Sequence, residues 1–87
     1  MKILAKPIRV IACFFPGKYP IPYKFKMEEA DQERIEVRVE KILLVEEQML
    51  AGIESIVYTC QSQIHNQNKR YDLKYIKQDC RWELYRM

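Results

Sequence analysis

Three cysteines and one histidine are the side chains in this sequence best suited to bind a metal or attack an electrophile. Cys60 stands five residues before His65 in the stretch VYTCQSQIHNQ, residues 57–67, and Cys13 and Cys80 would complete a set of soft ligands for zinc. Spacing argues against that use. Structural zinc sites draw their ligands in pairs from knuckles such as C-x2-C, because a tight turn aims two side chains at one point. No two cysteines here are closer in sequence than Cys60 and Cys80. Cys60 and His65 also differ in parity, so a continuous strand sends them to opposite faces. Free cysteine packs as a small hydrophobe, and an odd count without close spacing suits reduced thiols better than a disulfide framework. Cys13, Cys60, His65 and Cys80 are therefore weak metal candidates, and no cofactor is expected.

Other catalytic patterns are as sparse. With glycine only at 17 and 52, no loop can cradle a phosphate as a dinucleotide fingerprint or P-loop does. A lone histidine beside Asn66 and Asn68 reads as a solvated turn residue rather than half of a nucleophile–base pair. The expectation is a protein that is not an enzyme.

The basic residues carry more. The 87 residues hold 15 Lys or Arg and 12 Asp or Glu, a net charge of +3, but unevenly spread. Residues 1–27 have six bases and no acid, residues 28–47 eight acids and three bases, and residues 69–87 six bases and three acids. Lys18, Lys24 and Lys26, with Lys69, Arg70, Lys74, Lys77 and Arg81, would form a basic patch for an anionic partner, with Tyr19, Tyr71, Tyr75 and Trp82 close by in sequence. The plainer reading pairs bases with acids across neighbouring strands. It is favoured, because Tyr71, Tyr75 and Trp82 alternate onto an apolar face and the acidic segment would repel a phosphate backbone.

The elements that must position these residues are strands. In PIPYKFKM, residues 20–27, Ile21, Tyr23, Phe25 and Met27 fall on one face and Pro22, Lys24 and Lys26 on the other, a period of two. Its prolines place that end at a sheet edge or at the start of the strand. IRVIACFF, residues 8–15, precedes it, with Val10, Ala12 and Phe14 on one face and Ile11, Cys13 and Phe15 on the other. Those two faces are both apolar, so either both are covered or Ile11 and Phe15 are partly exposed. PGKYP joins the two strands as a hairpin turn.

RIEVRVE, residues 34–40, alternates as cleanly, with Ile35, Val37 and Val39 inward. Ile42 and Leu44 continue that face only if one residue is inserted near Glu40 or Lys41, which predicts a β-bulge and a sharp bend. A helix through 34–45 is the alternative, disfavoured by β-branched residues in strict alternation. VEEQMLAG is predicted to form a helical turn with Gly52 at its C-terminal side. In ESIVYTCQSQI, residues 54–64, Ile56, Tyr58, Cys60 and Ile64 share a face. HNQN, residues 65–68, then makes a polar turn, and KRYDLKYIK returns with Tyr71, Leu73 and Tyr75 inward and Arg70, Asp72 and Lys74 outward. After a KQDC turn, RWELYRM points Trp82 and Leu84 inward.

The fold class predicted is all-β: a small antiparallel barrel of five to six strands, SH3-like, or alternatively an open meander carrying one helical turn. With 48% hydrophobic and 31% charged residues the chain is a folded globule of one domain, 1–87, and not disordered or coiled-coil. Its start, MKILAKPIRVIACFF, is interrupted by Lys6, Pro7 and Arg9, so it reads as neither a secretion signal nor a spanning helix, and the expected location is cytoplasmic.

Several segments taken together are similar to a family of short, uncharacterised all-β proteins of clostridial-type bacteria. Val10, Ala12 and Phe14 match its V-x-A-x-F strand, Pro22 and Phe25 its P-x-x-F strand, and Val39, Ile42 and Leu43 its V-x-x-I/V-L segment. Tyr58, Thr59 and Cys60 match a Y-T-C strand, and Trp82 the terminal tryptophan strand. The resemblance implies a small β domain with no assigned activity. A fainter likeness to short domains encoded beside translesion DNA polymerases would imply an accessory role in DNA repair. The acidic EEADQE turn departs from the D-G-R-like turn of the family, and a glycine-rich stretch before Tyr58 is missing.

The functional expectation is a non-catalytic accessory module acting through a protein partner, with strand edges available for augmentation. Nucleic-acid binding through the basic hairpins is the alternative, and an enzyme of unknown class comes third. No membrane partner is expected. The oligomeric state is a monomer or an edge-strand homodimer.

Overall fold

Turn chemistry lays out most of the chain. The computed structural model describes residues 1–28 and 33–87. Within them run β1 (Ile3–Cys13), β2 (Ile21–Glu28), β3 (Arg34–Arg38), β4 (Lys41–Leu50), β5 (Ile53–Ile64), β6 (Gln67–Ile76) and β7 (Arg81–Arg86), with one 3-10 turn at Lys77–Asp79. Ala51 and Gly52 both have positive φ, 52° and 80°, as do His65 and Asn66, 52° and 62°. Two-residue loops of this kind match the right-handed twist of the strands they join. They fix the registers Leu50–Ile53 and Ile64–Gln67. The polar turn is therefore 65–66 rather than 65–68. Residues 45–50 form no helical turn, because the tight hairpin keeps them paired to β5 as strand. Between β1 and β2, the Lys18 amide donates to the Phe15 carbonyl at 3.1 Å. Pro16 supplies the fixed φ of this turn, and Gly17, at φ 72°, the left-handed position after it.

All seven strands belong to one antiparallel sheet in the order β3-β2-β1-β7-β6-β5-β4, curled into a half-barrel. The class agrees with expectation, while the count exceeds the five to six strands predicted. One reason is that the bent strand expected over residues 34–45 is divided between two strands. β3 pairs with β2 and β4 pairs with β5. At the corner between them the Val39 amide donates to the Tyr23 carbonyl at 2.7 Å, and the Glu40 amide to Ser62 Oγ at 3.2 Å. Ser62 donates in turn to the Arg38 carbonyl at 2.6 Å and also contacts the Tyr71 hydroxyl at 2.6 Å. The bend was legible; its partners were not.

The phase slip is absorbed in two steps, at this corner and at Leu43, which is the extra residue between the pairs Ile42–Cys60 and Leu44–Thr59. Ile42 and Val45 consequently pack on the core and Leu44 faces outward, contrary to the expectation for Leu44. A second bulge corrects the reading of β2. Ile11 pairs with Lys24 and Ala12 with Pro22, so Tyr23 is the extra residue; it is exposed, and Pro22 is buried. The EEADQE turn falls mostly on residues 29–32, outside the described residues.

The core lies on the concave face and is aromatic. Tyr58, Tyr71 and Leu73 are fully buried, with Phe25, Ile56, Cys60, Trp82 and Leu84 around them. Trp82 lies 4.9 Å from Tyr75 and 5.5 Å from Tyr58 between ring centroids, and Phe25 meets Tyr71 edge-on at 5.3 Å. Such contacts add to the area that the rings bury. Of the β1 alternatives, the partly exposed one holds: Ile11 and Phe15 face solvent, and Phe14 touches only the rim, edge-on to Tyr75 at 5.9 Å. Among the described residues no helix is long and apolar enough to cross a membrane.

Candidate functional site

Strand parity sends Cys60 into the core. It pairs with Ile42 on β4 and Tyr71 on β6, and its thiol donates to the Tyr58 carbonyl at 3.6 Å. Burial, with a smaller contribution from Asp72, pushes its pKa from the ordinary 9.0 up to about 12. The thiolate is the form that attacks electrophiles and binds metals. Cys60 is thus held in its unreactive form. His65 occupies the exposed β5–β6 turn, Cys13 ends β1, and Cys80 follows the 3-10 turn in a left-handed conformation. Among the described residues no three His, Cys, Asp or Glu side chains gather where a metal could sit.

Two consequences can be measured. In native protein at pH 8, a thiol reagent should modify Cys80 and then Cys13, and reach Cys60 only in denaturant. Modification of all three at one rate would show that Cys60 is open to solvent. Because the folded pKa of Cys60 is raised, its contribution to stability is complete below about 9 and is lost as pH climbs towards about 12. Tyr58 and Tyr71, whose hydroxyls burial also pushes upward, add to this alkaline loss.

The basic residues occupy separate places. Lys24 and Lys26 project from the convex face of β2, in register with Arg38 and Glu36 on β3, and Arg9 on β1 pairs with Lys26. Lys77 reaches Glu54 at 3.4 Å and Glu47 at 3.8 Å, and Arg81 reaches Asp79 at 3.2 Å and Glu83 at 3.5 Å. Lys74 lies over the Tyr85 ring, 4.6 Å from its centroid. Lys69 and Arg70 stand opposite Ser62 and Gln61 near the β5–β6 turn, and Lys18 sits in the β1–β2 loop. Lys24 pairs across strands with Glu36 at 3.2 Å, whereas both partners of Arg81 are local, in the 3-10 turn and on β7 itself. Tyr71, Tyr75 and Trp82 are core residues, and only Tyr19 of the four aromatics is open to solvent.

Two features escaped the reading of the sequence. Asp72 alternates outward, yet it is wholly buried and bound by Arg86, whose Nε donates to Oδ2 at 2.6 Å while Nη2 contacts the same oxygen. The other is β4, which ends the strand order and, among the described residues, has β5 on one side only. Leu43, Leu44, Met49 and Leu50 on this strand are 45–64% exposed, with the exposed Glu46 and Glu47 between them. An edge that offers backbone donors and acceptors beside apolar side chains is a template for another strand. Helix-versus-strand ambiguity hid it, since VEEQML carries no alternation.

No family model, no curated protein and no solved structure matches this chain.

Proposed function

We propose that this protein is a non-catalytic accessory module, an SH3-like small barrel that takes an extended segment of a partner protein along the β4 edge. The single observation that carries the reading is this edge, long and apolar at both ends with an acidic centre. Backbone hydrogen bonds would supply affinity and alternate side chains selectivity, as in strand addition generally. Alternation puts Leu44 and Glu46 on one face and Glu47 and Met49 on the other, so the segment that fits has a basic residue beside Glu46, an apolar one beside Leu44 and, on the opposite face, an apolar one beside Met49.

The test is recovery from lysate on immobilised wild-type protein and on Leu44→Lys/Met49→Lys, with and without nuclease. Both substitutions are at exposed positions, so the fold should be kept, as circular dichroism will show. The expected result is a protein partner that survives nuclease and falls about tenfold on the variant, a loss of about 1.4 kcal/mol. A partner retained equally by the variant would remove β4 from the account.

A second reading, nucleic-acid binding, is favoured by one observation: Arg9, Lys24, Lys26, Arg34 and Arg38 share the convex face of β1–β2–β3, against Glu28 and Glu36. It predicts that the nuclease arm loses everything and that charge reversal at Lys24 and Lys26 abolishes salt-dependent binding.

A further inference from the structure

β1 serves two neighbours. Its first half pairs with β7 and its second with β2, and the β1–β2 register ends at Arg9–Lys26. β2 nevertheless runs on to Glu28 beside β3. Beyond Arg9 the two strands therefore part, and Pro7, with no N–H to offer a ladder, stands where they do. A cleft of about 840 Å³ opens there. That volume lies within the range of small-molecule sites.

Its floor is formed by Leu4, Ile8, Val10, Met27, Leu84 and Met87. All but Leu84 are only partly covered. Every one is aliphatic or a thioether, and among the described residues the one aromatic ring lining the cleft, Phe25, is buried to 1% exposure. Lys6 pairs with Leu84, so its side chain shares the concave face with that apolar floor. Arg9, Lys24, Lys26 and Arg34, whose side chains lie on the convex side of the sheet, line the lip of the opening where β1 and β2 part, against Glu28 and Glu36, and Glu36 is already paired with Lys24. The lip is cationic and the floor is alkyl.

We propose that this cleft binds a single-chain amphiphile with an anionic head, an aliphatic carboxylate of medium to long chain. Alkyl and thioether side chains adapt to a flexible hydrocarbon tail, while a nucleobase needs an exposed ring to stack on, and the floor offers none. The excess of ammonium and guanidinium groups at the lip selects a negative head. No β4 residue takes part, so this site stands or falls separately from the strand edge.

The test is calorimetric titration with sodium dodecanoate below its micellar concentration. Dodecyl maltoside, butyrate and anionic phospholipid vesicles serve as the other arms. The expected result is saturable one-to-one binding of dodecanoate, at least tenfold tighter than of dodecyl maltoside or butyrate. It should weaken at high salt, and at least fivefold in Lys6→Glu/Lys26→Glu with an unchanged melting temperature. Several results would overturn the proposal: no saturable heat, equal affinity for the neutral amphiphile, indifference to the charge reversal, or attachment to vesicles without binding of the monomer.

Discussion

Truncating Tyr58 to alanine is expected to cost the fold about 3–5 kcal/mol, the range for deleting a large ring from a core. The ring is wholly buried, lies against Trp82 and Tyr19, and its hydroxyl donates to the Pro20 carbonyl. It therefore ties the β1–β2 loop to the centre of β5. A domain of this size has about 5–15 kcal/mol in hand, so urea unfolding of Tyr58→Ala should show a midpoint near the start of the titration. Tyr58→Phe separates the two roles. It keeps the ring and leaves Pro20 without its donor, at about 1–2 kcal/mol. If both variants lose the same amount, the hydroxyl and not the ring holds the loop.

Replacing Arg86 with alanine should cost about 3 kcal/mol, the lower end of what breaking a buried pair costs, because Arg86 itself is 40% exposed and Asp72 is not exposed at all. The loss comes from the carboxylate left behind. Among the described residues Asp72 Oδ1 already has no hydrogen-bond partner, and removing the guanidinium would strip Oδ2 as well. Replacing both residues by leucine should then recover most of the stability, since no buried charge remains to be solvated. The double-mutant cycle measures this directly. A single variant within 0.5 kcal/mol of wild type would show that the pair contributes nothing.

These two sites differ in how readable they were. Tyr58 belongs to a strand whose alternation already marked Ile56, Cys60 and Ile64 as inward, and all are in the core. Asp72 obeyed the same alternation, and its outward parity was correct. What parity missed was burial on that face, where the Arg86 side chain binds the carboxylate and Asp72 is left with no exposed surface. Parity tells which side of a sheet a side chain takes, and says nothing of what covers that side. The bulges at Tyr23 and Leu43 mark a similar boundary. A slip near residue 40 showed in the pattern, whereas Tyr23 looked regular and lost its phase only because Ala12 pairs with Pro22.

The same local rule placed Cys60 as a core thiol and His65 as a turn residue, and the structure puts both there. An open edge was expected, but neither its place at β4 nor the cleft was visible. β4 is an edge because β5 takes one side of it and the corner at residues 38–40 leads the chain away to β2. The cleft exists because β1 leaves β2 for β7, whose sequence lies at the other end of the chain.

The sequence by itself determined what period-two alternation and turn residues can determine: an all-β chain, hairpins at the PGKYP and HNQN turns, and the inward placement of Phe25, Ile56, Tyr58, Cys60, Tyr71, Leu73, Trp82 and Leu84; the hairpin at 51–52 it misread as a helical turn. Only the tertiary structure decided that β1 joins β7, that Ser62 fastens the corner, and that β4 keeps an open side. Hairpin pairing is written in adjacent residues. Pairing across the whole chain is chosen by the shared core, which no local pattern records.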